Sequence, residues 1–303
     1  MARDLAPARW LIVAALALVA APAAARISSE TPAPESLSAP RELARLDAAA
    51  EAGEHWRITT PHGPVHIWRP AGYDEATAAI VVYVHGYFHD VDTTWTEHRL
   101  PQQFARAGIN ALFIACEAPT TEFEPVRWLS LGDLLMTVRR RTGVVLPDGP
   151  VVAVAHSGGF RTLEWWLPNR GLDTIVLVDA AYGDVRLFWR WVRASRRHRL
   201  IDVGDDTRQA TDWLHRWLPE TVTVDDFAAG AASALPADAQ QARIVYARST
   251  VGHMALVTGG VALPLLLRAL WVDPLPDVRW SPLAPLPPRE PLAPAAPIAV
   301  SAS

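Results

Sequence analysis

The sequence predicts an α/β domain in which helices cover both faces of a mainly parallel sheet. Short, wholly apolar runs such as Ala79–Val84 and Val151–Ala155 have the length and composition of strands that are buried on both faces. Segments with helical spacing separate these runs, and regular alternation of the two implies parallel strands joined by helices. At 303 residues and 50% hydrophobic composition, the chain is long enough to bury one core of this kind.

The first 25 residues have the pattern of a secretory signal peptide. Arg3 and Arg9 accompany an apolar run over 10–21, and the small residues at 23–25 suit a cleavage site. The run is short for a bilayer span, so an uncleaved membrane anchor is the secondary interpretation. The pattern predicts a secreted or periplasmic protein, and it leaves association with the cell envelope open.

The local composition of the chain predicts where the spacer, the α/β domain and the C-terminal tail begin and end. Residues 26–53 begin rich in Ser, Pro and Glu and end with helical spacing, which predicts a flexible spacer and then a short helix over Arg41–Ala52. The α/β domain is placed at residues 54–273. Residues 274–303 are loaded with proline and have no apolar period, so we expect a disordered, polyproline-like tail.

Inside the domain, an antiparallel hairpin precedes alternating strands and helices. The hairpin strands, His55–Thr60 and Val65–Arg69, alternate apolar and polar residues around a turn. Later strands are predicted at residues 79–84, 111–115, 151–155, 174–178, 199–203 and 243–247. Helices are predicted at 95–107, 129–141, 161–167, 185–194, 208–218 and 254–271, the last interrupted by two glycines and a proline.

The turn between one of these strands and the next helix contains Ser157, in the run Ala155-His156-Ser157-Gly158-Gly159. A serine at such a turn has its hydroxyl pushed out at the carboxyl end of the sheet, and small neighbours let two backbones pass closely. This arrangement is the nucleophile elbow. Ala155 stands where the motif usually has its first glycine. The alternative is a glycine-rich connection in which Ser157 only caps the helix.

A serine nucleophile needs a base, because its hydroxyl reacts poorly at neutral pH. The base is a histidine, and a carboxylate holds the correct tautomer of that histidine. His253 follows the last predicted strand, beside Gly252, and no histidine comes after it. His215 lies in a predicted helix between Trp213 and Trp217, which indicates packing or a surface position. We therefore predict that His253 is the base.

Three features together make the chain resemble the α/β-hydrolase family, in particular its serine hydrolases of the esterase and lipase type. They are His85-Gly86 after a central strand, the elbow around Ser157, and His253 after the last strand. The resemblance covers roughly residues 56–270. Together these motifs are far more specific than any one of them alone.

The resemblance implies the α/β-hydrolase fold and the chain order serine, acid, histidine. It implies an oxyanion hole formed by the backbone N–H groups of Tyr87 and Gly158. Family precedent places the acid after the next-to-last strand, at Asp205 or Asp206, but these residues also precede a helix and have the character of caps. Asp179 ends an apolar strand, where an unused carboxylate is costly, and some family members take the acid from this earlier strand. We place Asp179 first and keep Asp206 as the alternative acid.

A metal site is the weaker interpretation of the ligand-type residues that follow the first central strand. Their spacing matches no familiar zinc pattern: His85, His89, Asp90, Asp92 and His98. We expect neither a metal nor another cofactor.

The sequence as a whole predicts a secreted serine hydrolase that cleaves an ester, with an amide as the second choice, through an acyl-Ser157 intermediate. Its partner is a small-molecule or acyl substrate. A net charge of −4 without a block of like charge argues against nucleic acid and against an anionic membrane surface. The alternative is a non-catalytic binding protein of the cell envelope that keeps the α/β-hydrolase fold. The oligomeric state is left open.

Overall fold

A computed structural model of the chain describes residues 39–276 and 278–287, and in this part nine strands form one sheet. Their order across the sheet is β1-β2-β4-β3-β5-β6-β7-β9-β8. Strand β2 pairs antiparallel with β1 and β4, and all the other pairs are parallel. The strands are β1 Glu54–Thr60, β2 Gly63–Arg69, β3 Ala79–Val84, β4 Ala111–Cys116, β5 Val151–His156, β6 Leu172–Val178, β7 Arg199–Gly204, β8 Val222–Phe227 and β9 Ile244–Ser249.

Helices cover both faces of this sheet. Alternate side chains of β3 enter two separate cores: Val81 and Tyr83 pack with α2, α3 and α8 to α10, whereas Val82 and Val84 pack with α4 to α7. The predicted fold class is therefore confirmed. The helices are α1 Ala39–Ala52, α2 Val91–Glu97, α3 Leu100–Ala107, α4 Leu131–Thr142, α5 Phe160–Trp166, α6 Arg186–Ala194, α7 Arg208–Arg216, α8 Ala237–Gln241, α9 Ala255–Thr258 and α10 Ala262–Arg268.

The helix predicted at residues 95–107 is in fact two helices, α2 and α3. Helix α2 begins earlier than predicted because Asp90 caps it and accepts a hydrogen bond from the Thr93 N–H at 2.7 Å. The break falls at Arg99, which has a left-handed φ of +51°, and Pro101 lies in the first turn of α3. Proline suits the first turn of a helix because the N–H it lacks has no intrahelical partner there.

Residues 219–242 contain two elements that the sequence patterns did not reveal, β8 and α8. Strand β8 pairs with β9 at the outer edge of the sheet, so β9 becomes an interior strand. The register shifts between Val224 and Phe227, where Asp226 has a φ of +52°. An edge strand tolerates Asp225 and Asp226 because both side chains reach solvent.

Helix α1 belongs to the packed domain and begins at Ala39, two residues before the predicted start. Leu46 is fully buried, and the Trp68 indole N–H donates to the Ala50 carbonyl at 3.0 Å. The predicted signal peptide and most of the predicted spacer lie outside the described residues. No helix of the described part has the length and apolar character needed to cross a bilayer.

The prediction of a disordered tail is wrong for residues 274–276 and 278–287, because these residues pack on the domain. The Leu275 N–H donates to the Gly108 carbonyl at 2.9 Å, and the Trp280 indole donates to the Ala107 carbonyl at 2.9 Å. Leu283 is 2% exposed and Leu286 is 8% exposed. Proline removes backbone donors, but the interspersed Leu and Trp side chains still supply apolar surface to bury. The packed domain thus extends at least to residue 287.

We expect Leu283→Ala to lower the free energy of unfolding by about 2 to 4 kcal/mol, because the substitution leaves a cavity under the C-terminal segment. Chemical denaturation measures this change. Leu129→Ala is the matched control, since Leu129 is 54% exposed and its loss should matter by no more than about 0.5 kcal/mol. Equal stabilities of the two variants would show that the segment does not pack as described.

Candidate active site

Ser157 lies at a strained turn in the middle of the sheet. It directly follows β5, which is flanked by β3 and β6, and it opens a short 3₁₀ turn, Ser157–Gly159, that leads into α5. Its φ is +49°, a value that residues other than glycine adopt rarely. Such strain is typical of a nucleophile elbow, where the turn exposes the serine hydroxyl at the edge of the sheet formed by the carboxyl ends of the parallel strands. This edge is called the carboxyl edge below.

Close backbone approaches explain the glycines around Ser157. A Cβ atom at Gly86 would lie 2.7 Å from the Cβ of Ser157, and one at Gly159 would lie 2.7 Å from the Val84 carbonyl oxygen. Both distances are too short for any side chain. Ala155, in contrast, is fully buried within β5 and packs into the core, so the structure accommodates a methyl group where the motif usually has glycine.

Asp179 and His253 meet at the same edge. Asp179 follows β6 with a φ of +47°, and His253 follows Gly252 in the loop after β9. The His253 Nδ1 lies 2.6 Å from the Asp179 Oδ2, which is a short, charge-assisted hydrogen bond. This contact leaves the Nε2 atom as the other nitrogen available on the His253 ring.

Four further donors hold the Asp179 carboxylate, which is fully buried. The backbone N–H groups of Asp205, Asp206 and Thr207 donate at 3.0, 3.1 and 2.8 Å, and the Thr207 hydroxyl donates at 2.7 Å. These groups lie at the amino end of α7, where backbone N–H groups have no helical partner and favour negative charge.

The pKa values of the pair move in opposite directions. Burial alone would raise the pKa of Asp179, but the hydrogen bonds from His253, from the Asp205 and Thr207 N–H groups and from the Thr207 hydroxyl outweigh burial and lower it. The hydrogen bond to Asp179 raises the pKa of His253 above its ordinary value, although burial opposes it. The geometry thus favours an anionic Asp179 next to an imidazole that accepts a proton readily.

Asp206, the alternative acid, does not make this hydrogen bond. Its Oδ2 lies 3.8 Å from the His253 Nδ1, beyond hydrogen-bond distance, and its side chain is 64% exposed. Asp205 contributes only its backbone N–H. Neither side chain caps α7, because the cap residue is Thr207.

The order of these parts along the chain is the deciding observation. A mainly parallel sheet carries a strained serine after β5, a carboxylate after β6 and a histidine after β9, all at the carboxyl edge, in the sequence serine, acid, histidine. The chain has the α/β-hydrolase fold. The carboxylate that contacts His253 follows β6, one strand earlier than family precedent places the acid.

No protein-family model and no curated protein matches the chain. Several solved structures are similar to it at low identity. A mutant of the feruloyl esterase module from Clostridium thermocellum is 11% identical, with a TM-score of 0.48 over 73% of this chain and 90% of that one. The fluorophosphonate-binding serine hydrolase F of Staphylococcus aureus is 12% identical, with a TM-score of 0.40 over 55% and 86%. A Pyrococcus furiosus esterase is 10% identical, with a TM-score of 0.38 over 68% and 84%.

The two residues predicted for the oxyanion hole of this α/β-hydrolase fold lie together beside Ser157. The Tyr87 ring packs on Gly158 so closely that a Cβ atom at Gly158 would come within 2.5 Å of it. His85 holds the loop in place: its Nδ1 donates to the Gly86 carbonyl at 2.7 Å, and its Nε2 accepts from the Ala118 N–H at 2.9 Å. With one ring nitrogen donating and the other accepting, the His85 imidazole links the loops after β3 and β4.

The residues of the rival metal cluster have separate partners. Both Asp92 oxygens accept hydrogen bonds from Arg57 at 2.6 Å, Asp90 caps α2, and the His98 Nδ1 lies 3.5 Å from the Tyr83 hydroxyl. His85 bonds backbone groups, as described above, and His89 lies 3.4 Å from Glu97. Within residues 39–276 and 278–287, three ligand-type side chains lie within 4.8 Å of one another at one place only, which comprises Asp179, Asp206 and His253. Both oxygens of Asp179 already accept hydrogen bonds there.

Sequence reasoning missed two residues of the site. Thr207 supplies two of the donors to Asp179, and only the folded structure brings Thr207 and Asp179 together. His156 is 3% exposed, and its ring centroid lies 4.6 Å from that of His253. Neither His156 ring nitrogen has a hydrogen-bond partner among the described residues. The signal that could have found His156 is its position next to Ser157 at the end of a buried strand.

We expect His156 to make folding stability depend on pH. Burial, reinforced by His253 and His98, holds its pKa well below 6.5, so below that pH the unfolded chain binds a proton that the folded chain does not. Stability should therefore fall as pH falls from about 6.5, by about 1.4 kcal/mol per pH unit for this residue. Buried His98, with a pKa of about 4, acts in the same direction.

The test is His156→Phe, which keeps a ring but removes the titrating group. Urea denaturation at pH 7, 6 and 5 gives the free energy of unfolding at each pH. The slope of this free energy against pH should be smaller by about 1.4 kcal/mol per pH unit in the variant. Above pH 7 the two proteins should have the same slope. Identical slopes between pH 5 and 7 would mean that His156 binds a proton in the folded state.

Proposed function

We propose that the chain is a serine hydrolase that cleaves a carboxylic ester through an acyl-Ser157 intermediate, with an amide as the second choice of substrate. The observation that carries this proposal is the short hydrogen bond between Asp179 and His253 at the same edge of the sheet as the strained Ser157. A carboxylate, an imidazole and a serine in this arrangement suit acyl transfer to water.

The proposed reaction has two steps. In the first, the Ser157 oxygen attacks the ester carbonyl carbon while the His253 Nε2 takes the hydroxyl proton. The negative charge on the carbonyl oxygen faces the N–H groups of Tyr87 and Gly158, and the alcohol leaves with the proton from His253. In the second step, His253 deprotonates a water molecule, which attacks the acyl carbon and releases the acid and Ser157.

Asp179 has two tasks in this scheme. Its hydrogen bond to Nδ1 keeps the proton on that nitrogen, so that Nε2 presents a lone pair to Ser157. Its negative charge stabilises the imidazolium that forms when His253 takes the serine proton, in line with the raised pKa of His253. Every step uses groups of the chain, the substrate and water.

We also propose that the protein is exported and acts in a secreted or periplasmic location. The support is the sequence of residues 1–25, with Arg3 and Arg9, the apolar run and the small residues near position 25. The substrate is then a small molecule or an acyl compound met outside the cytoplasm.

A fluorophosphonate probe tests the proposed nucleophile. We expect the probe to label the wild type on Ser157 and to leave Ser157→Ala unlabelled. Hydrolysis of p-nitrophenyl acetate should fall by orders of magnitude in the variant, because no acyl intermediate can form. Its melting temperature should stay near that of the wild type. An unlabelled wild type without esterase activity would instead indicate a non-catalytic binding protein of the same fold.

Two matched substitutions test the acid. Asp179→Asn keeps the shape but favours the wrong imidazole tautomer, so kcat should fall by roughly 10³-fold or more while KM changes little. Asp206→Asn removes an exposed carboxylate that makes no hydrogen bond to His253, so its kcat should stay within about a factor of three. Steady-state kinetics on p-nitrophenyl acetate measures both. The reverse result would transfer the role of the acid to Asp206.

A further inference from the structure

Four loops at the carboxyl edge each present one large apolar side chain to solvent. Phe88 follows β3, Phe123 follows β4, Tyr182 follows β6 and Met254 follows β9, and these side chains are 87%, 88%, 37% and 40% exposed. Strands β4, β3, β5 and β6 are neighbours in the sheet, so the first three loops surround the end of β5, where Ser157 lies. Met254 is adjacent to His253. The exposed apolar residues therefore surround the proposed nucleophile and base.

Phe88 is held outward in a conformation that is unfavourable for its residue type. Its φ is +72°, in the left-handed region that a bulky side chain rarely adopts. Its N–H donates to the Thr120 carbonyl at 2.8 Å, which fixes the backbone in this position. The side chain contributes almost nothing to the core, since 87% of it is exposed. Strain without burial at a site indicates a role outside folding.

Phe123 stands on a loop that is tied to the elbow. Arg161, on the helix that follows Ser157, donates to the Thr121, Glu122 and Glu124 carbonyls at 3.3, 2.9 and 2.9 Å. These bonds hold the backbone on both sides of Phe123. An exposed aromatic ring on a fixed loop can bind a ligand with little loss of conformational entropy.

The charge near His253 disfavours an anionic substrate group. The Asp206 carboxylate is 64% exposed and lies 3.8 Å from the His253 ring. An anionic substrate group near His253 would therefore be repelled by Asp206.

We propose that Phe88 and Phe123 bind a large apolar group of the substrate, so that the preferred substrates are esters that carry an aryl group or an alkyl chain of comparable size and no negative charge. This inference rests on the proposed function, which it makes more specific. The two rings would contact a substrate part beside the scissile bond and shield it from water, which favours large apolar esters over small ones.

The experiment compares kcat/KM for two pairs of esters. p-Nitrophenyl 3-phenylpropanoate against p-nitrophenyl acetate varies the acyl side, and 2-phenylethyl acetate against ethyl acetate varies the alcohol side. We expect the wild type to prefer the larger ester in at least one pair. In Phe88→Ala and Phe123→Ala, the ratio of kcat/KM for the larger ester to kcat/KM for the smaller ester should fall by about tenfold in that pair. Trp217→Ala is the matched control, because Trp217, directly after α7, is 56% exposed and distant in sequence from the four loops, and it should leave the ratio unchanged.

Phe123→Ala keeps the experiment decisive if Phe88→Ala fails to fold, since Phe123 has no left-handed φ. A wild type that prefers the smaller ester in both pairs, or a ratio that neither substitution lowers, would overturn the inference. In that case labelling of Ser157 and hydrolysis of p-nitrophenyl acetate would still stand. Loss of labelling and of all ester hydrolysis in the wild type would overturn the proposed function and this inference together.

Discussion

The buried carboxylate of Asp179 is the interaction on which the geometry of the site depends. A carboxylate without exposure is costly unless donors surround it, and here the start of α7 and His253 supply them. Because Asp179 follows β6, the donors precede α7 and His253 follows β9, three segments distant in sequence are held at one point. Removing the carboxylate would leave the backbone N–H groups that precede α7 and the imidazole without their common acceptor.

This arrangement explains how Asp179, the proposed acid, can follow β6 in this chain. The function of a triad requires only that a carboxylate reach the histidine, and neighbouring parallel strands end within a few ångströms of each other. The loop after β7 still takes part, but through its backbone: the N–H groups of Asp205, Asp206 and Thr207 bind the acid. In this chain the loop after β6 provides the carboxylate, and the loop after β7 provides the donors that stabilise its negative charge.

Local patterns predicted the features that depend on neighbours in sequence. The apolar runs at Ala79–Val84 and Val151–Ala155 and the serine turn are of this kind, because strand burial and turn geometry follow from a few adjacent residues. The hydrogen bond between Asp179 and His253 spans 74 residues, so no local pattern could decide between Asp179 and Asp206. The packing of Leu283 was missed for the same reason: its partner, the Ala232 carbonyl, lies 51 residues earlier in the chain.

The C-terminal segment has a consequence for the order in which the domain can be completed. Within residues 278–287, Trp280 donates to the Ala107 carbonyl at the end of α3, and the Ser281 carbonyl accepts from Arg268 of α10. During synthesis from the amino end, these helices lack their contacts with this segment until the segment itself has left the ribosome. Folding of the domain can be completed only after this segment has been synthesised, so the helices it contacts pass through a stage in which their apolar side chains lack part of their final cover.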